Sequence, residues 1–122
     1  MSQMRLGAKK VLDEKRCYEL WVQNRVSTYH IPNLLASEGI VNPRTGKPVT
    51  PQAIWRAASL YILKHPEQAK ADTVAILNQS GGILDEEMWG REMIARARQF
   101  LSALPYRQFL AKYPEFKKYV NE

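Results

Sequence analysis

The stretch Ser27–Leu60, STYHIPNLLASEGIVNPRTGKPVTPQAIWRAASL, is punctuated in a way that leaves few folds open to it. Its first half ends in Glu38-Gly39-Ile40, a glycine helix stop followed by an apolar anchor. Its second half opens with Thr50-Pro51-Gln52, an oxygen-bearing cap with proline at the first helical position. Between them Asn42-Pro43-Arg44-Thr45-Gly46-Lys47-Pro48 is rich in turn formers and carries two cations and no acid. The segment therefore reads as helix, short basic loop and helix, a layout that suits presentation of the second helix to a polyanion.

The rest of the chain follows a helical period. Val11, Tyr18, Trp21, Val22 and Val26 fall in one broad arc of a first helix. A second helix is expected over about 28–38, and a third from Thr50 until His65-Pro66 stops it. A fourth runs from Pro66 to Asn78, and the longest pattern spans Asp85 to Leu104. The acids Asp85, Glu86 and Glu87 open that pattern and Arg96 and Arg98 lie near its end, as the helix dipole favours. Pro105 and Pro114 then break the tail into two short pieces. The chain also echoes itself: Tyr61-Ile62-Leu63-Lys64-His65-Pro66-Glu67 resembles Phe109-Leu110-Ala111-Lys112-Tyr113-Pro114-Glu115. Two copies are too few for a solenoid, and a shared helix–proline–helix punctuation accounts for them.

These patterns give an all-α chain, a helix-turn-helix bundle with a short basic turn or small hairpin between its helices and further helices after it. We expect one helical domain over 1–122, with the helix-turn-helix unit at 27–65. Residues 66–122 would form a C-terminal covering part with room for dimerisation. At 122 residues the chain is long enough for a real core.

The formal net charge is +6, and its distribution says more than its total. Residues 1–26 carry six Lys/Arg against three acids and residues 27–65 four against one, each net +3. Residues 66–104 reverse to net −2, and the last eighteen return to +2. An excess in the N-terminal half is the electrostatic footprint of an acidic partner. No apolar run approaches the ~20 residues that span a bilayer, and Met1–Lys10 lacks the apolar centre of a secretory signal. The expectation is a soluble, cytoplasmic protein without a membrane partner. One cysteine, Cys17, excludes an internal disulfide and fits a reducing compartment.

Chemistry is poorly represented. Cys17, His30 and His65 are scattered, with no pair at ligand spacing, so neither a metal nor another cofactor is expected. Cys17 falls within an amphipathic helix and reads as a small buried hydrophobe. Arg25-Val26-Ser27-Thr28 resembles the nucleophile motif of serine recombinases, but helical patterns flank it where that motif ends a strand. Ser27 or Thr28 is better explained as a helix cap, and no catalytic residue is assigned. The chain is expected not to be an enzyme.

The same family enters by another route. Ser27, Ile31, Leu35, Gly39-Ile40, Pro43-Arg44, Gly46-Lys47 and Thr50-Pro51, with Ile54 and Arg56 beyond, resemble the helical DNA-binding module that follows the catalytic domain in large serine recombinases. The resemblance covers 34 of 122 residues, and the catalytic domain has no counterpart here. Pro32 departs from the pattern, standing where the family has a small helix-favouring residue. Were Ser27 the cap, Pro32 would remove an intrahelical bond; a helix starting near His30 would place it in the tolerated first turn.

What this implies is a duplex-DNA-binding protein, a transcriptional regulator or an accessory factor of a phage or mobile element. The helix after Thr50 would enter the major groove, with Gln52 and Arg56 on one face, Ala53 against a thymine methyl and Ser59 on an adjoining face. Arg44, Thr45, Lys47 and Thr50, with the N–H groups at the helix start, would hold phosphates, and Lys9 and Lys10 would add an arm. Ile54, Ala57, Ala58 and Tyr61 would turn inward, and Trp55 is assigned to the core in preference to the DNA face. An apolar stripe on the helix around Met88–Leu104 leaves room for a homodimer. The alternative, from another class, is a helical interaction or assembly protein whose basic face meets an acidic protein.

Overall fold

The structure is a computed structural model and describes residues 12–120; Lys9, Lys10 and Val11 lie outside this range. Every regular element among the described residues is helical, so the all-α expectation holds. No described helix is long and apolar enough to cross a membrane. Contacts group the chain into two compact units, 1–61 and 62–122.

In the first unit, α1 (Glu14–Tyr18) is capped by Asp13, whose carboxylate accepts from the N–H groups of Lys15 and Arg16. It continues as one wider π turn over Glu19–Gln23, closed by Asn24 N–H donating to the Glu19 carbonyl at 2.8 Å. Arg25 then takes a positive φ of 59° and ends the helix, so Val26 falls outside it.

The second helix, α2, spans Ile31–Ser37. Ser27 is not its cap: the Ser27 hydroxyl accepts from Tyr29 N–H at 3.1 Å and its carbonyl from His30 and Ile31 N–H. Residues 28–30 are thus a turn ahead of the helix, and Pro32 falls in the first turn, where its missing donor is harmless. At the other end Gly39 N–H reaches the Ala36 carbonyl and Ile40 N–H the Leu35 carbonyl, with Gly39 at φ +85°. This is the Schellman closure that the Gly-Ile pair predicts.

The third helix, α3, covers Pro51–Lys64, and the division between the units falls within it, after Tyr61. The core of the first unit is built from Cys17, Tyr18, Leu20, Ile31, Leu35, Ile54, Ala57, Ala58 and Tyr61, all buried. The rings of Tyr18 and Tyr61 meet at a centroid distance of 4.8 Å, a close aromatic contact that adds to their area burial.

The second unit holds α4 (Pro66–Gln79), α5 (Glu86–Phe100), α6 (Ala103–Lys112) and a 3-10 helix over Pro114–Tyr119. The expected Asp85–Leu104 helix is interrupted earlier than Pro105. Leu101 and Ser102 are extended, and Ser102 opens α6 by accepting Tyr106 N–H at 2.9 Å. Pro105 therefore sits in the first turn of α6 instead of breaking the chain. The sequence echo has a local cause. His65 (φ −134°, ψ 59°) and Tyr113 (φ −126°, ψ 71°) adopt nearly the same non-helical conformation before a proline that starts the next helix.

The aromatic tail closes this unit. Phe109 and Phe116 stack with centroids 5.5 Å apart, and Tyr113 leans on Phe109 at 5.4 Å. Tyr119 lies so close to α5 that a Cβ on Gly90 would collide with its ring. Lys70 of α4 pairs with Glu86 of α5 at 2.6 Å.

Candidate nucleic-acid interface

The connection between α2 and α3 is thirteen residues, 38–50, and its tip is organised by one side chain. Asn42 Oδ1 accepts Arg44 N–H at 2.9 Å, and the Asn42 carbonyl accepts from Thr45 and Gly46 N–H. Asn42 N–H in turn donates to the Lys47 carbonyl at 2.9 Å, closing the loop on itself. Thr45 Oγ1 accepts from Lys47 N–H, and Gly46 supplies the positive φ of 71° that the reversal needs. Local hydrogen bonds of this kind are the reason Asn and Thr favour turns over helix. The result holds Arg44, Thr45 and Lys47 exposed at a fixed tip.

Thr50 sets the start of α3. Its hydroxyl oxygen accepts from Ala53 N–H at 3.1 Å while its carbonyl accepts from Ile54 N–H, a cap with proline at the next position. Thr50 is thus the cap that the sequence predicts, and it is exposed beside the loop.

Along α3 the predicted inward set is buried: Ile54, Ala57, Ala58 and Tyr61. Gln52 and Arg56 are exposed and Ala53 is half-buried. Ser59 differs from expectation. Seven residues of about 100° each return it to within about 20° of Gln52, yet it is 0 % exposed. The cause is the change in surroundings along the helix, because Ala57, Ala58, Ser59, Tyr61, Ile62 and Leu63 are all buried. A helix covered on nearly every side has no outward face to offer. Ser59 is therefore removed from the candidate contacts, and those that remain on α3 lie in its first turns.

Trp55 departs from expectation in the other direction. At 37 % exposed it is not a core residue. It lies three residues after Gln52 and beside Arg56, so Gln52, Trp55 and Arg56 occupy one arc of about 100° at the open end of the helix. The spacing was legible; the size and apolarity of the indole argued against it.

Electrostatics reinforce this end of the unit. No Asp or Glu occurs from Gly39 to Pro66. The nearest acid before that stretch, Glu38, is paired with Arg16 of α1 at 2.6 Å, with both side chains part-exposed. Such a pair contributes at most about 1 kcal/mol to stability, but it neutralises the acid beside the basic loop. Nothing in the sequence pattern pointed to this pairing, which joins residues 22 apart.

Elsewhere the described residues include no group of three or more His, Cys, Asp or Glu side chains placed to hold a metal ion. Cys17 is buried, and burial, followed by the nearby Asp13, pushes its thiol up to about 11. It stays protonated at neutral pH. Comparison of the chain with protein-family models, with curated proteins and with solved structures returned no match.

Proposed function

We propose that this chain is a duplex-DNA-binding helix-turn-helix protein, acting as a transcriptional regulator or as an accessory factor of a phage or mobile element. The first turns of α3 enter the major groove, where Gln52 and Arg56 reach base edges. The loop tip with Arg44, Thr45 and Lys47 grips flanking phosphates, which fixes register without reading sequence. The action is occupancy of a site, with no bond made or broken.

The observation that carries this reading is the acid-free stretch from the loop to Arg56, presented on a hydrogen-bonded tip and a capped helix, with Glu38 neutralised by Arg16. The thirteen-residue connection is longer than the 3–4-residue turn of a compact helix-turn-helix. The loop is accordingly a second contact element beside the helix, in keeping with the likeness to the recombinase module. A homodimer would place two such surfaces on a palindromic site, and half-site spacing in the selected sequences would reveal it.

The test is a pair of variants with different signatures. Lys47→Ala should weaken binding to all duplexes alike and lower the salt slope by about 1, whereas Arg56→Ala should relax preference at one base position by roughly 1–3 kcal/mol. If neither substitution alters binding to any duplex, the proposal fails and an acidic protein becomes the better partner.

A further inference from the structure

We propose that Trp55 is a specificity residue of this surface and that it selects thymine, by covering the C5-methyl group in the major groove. The inference rests on the duplex-DNA reading above. It adds a residue and a base identity that the Gln52–Arg56 pair does not supply.

Three observations converge on it. The burial of Ser59 confines the candidate contacts on α3 to its first turns, so few side chains can reach a base there. Among them Trp55 stands at one edge of the arc, beside Gln52 and with Arg56 at the other edge, and is 37 % exposed, while the next aromatic along the helix, Tyr61, is buried. The stretch that carries it is basic, with Arg44, Lys47 and Arg56 and no acid from Gly39 to Pro66.

The chemistry then narrows the contact. Gln pairs with adenine and Arg with guanine through hydrogen bonds, but an indole has one N–H donor, no acceptor and a broad apolar face. The one apolar group that base pairs present in the major groove is the thymine methyl. A large apolar side chain held beside two polar readers and driven against a duplex loses least where it meets that methyl. The half-buried Ala53 would give the same base a much smaller contact.

The experiment uses the full chain and a duplex enriched from a randomised pool, with each thymine replaced in turn by deoxyuridine, which removes only the methyl. The wild type should lose about fourfold in affinity at one or two positions, the amount expected for one buried methyl. Trp55→Ala should bind the thymine and uracil duplexes equally at those positions while keeping the base preference that depends on Arg56. Trp55→Phe should retain part of the discrimination and guards against a folding defect, which circular dichroism would expose. Wild-type indifference to every replacement, or full discrimination in Trp55→Ala, overturns the role of Trp55. In that case continued weakening by Lys47→Ala leaves the duplex reading standing. Failure to enrich any duplex overturns both.

Discussion

At Thr50 one hydroxyl oxygen decides where α3 begins, by accepting the Ala53 N–H. Thr50→Ala should destabilise the fold by about 1 kcal/mol in thermal or urea unfolding, and Thr50→Ser should recover most of it. Cys17 makes a second residue-scale prediction. Its folded-state thiol titrates near 11 against an ordinary value of 9.0, mainly because it is buried. The folded chain then holds a proton that the unfolded chain releases, so stability falls as pH rises between those values and is unaffected below them. Urea midpoints measured from pH 8 to 10.5 should decline more steeply in the wild type than in Cys17→Ala; parallel curves would count against it. Single residues were legible where local chemistry decides, as at Thr50 and Gly39. Ser59 and Trp55 were not, because their exposure depends on where the cover over α3 starts. Periodicity along one helix carries no information about that.

Among the elements, two helix boundaries show the same contrast. The end of α2 was legible because a glycine at positive φ and the two bonds around it are encoded within six residues. Gly39→Ala has open space for its methyl but keeps the φ of 85°, so it should cost about 1 kcal/mol through backbone strain alone. The break between α5 and α6 was placed too late, at Pro105, because a proline in a first turn is as acceptable as one after a helix. Leu101 and Ser102, where the chain does leave the helix, carry no strong local signal. Gly90 is the other telling position in α5. Alanine is the better helix former, yet its methyl would collide with the Tyr119 ring. Gly90→Ala should therefore destabilise by about 1–3 kcal/mol. Adding Tyr119→Ala should give less than the sum of the two losses, a coupling that a double-mutant cycle on chemical unfolding would read.

For the molecule as a whole, the all-α class and the basic bias of the N-terminal half follow from sequence, and the division into two units after Tyr61 does not. Residues 1–61, with the basic loop and the open end of α3, carry the proposed binding surface. The measurement that tests the central claim most directly is a fluorescence-anisotropy titration of the full chain with a pool of random and genomic duplexes at two salt concentrations, followed by sequencing of the retained fraction. The account predicts tight binding that weakens steeply with salt, as counterion release requires, and an enriched motif containing thymine. Absence of binding at low salt, or binding with no enriched sequence, would contradict it.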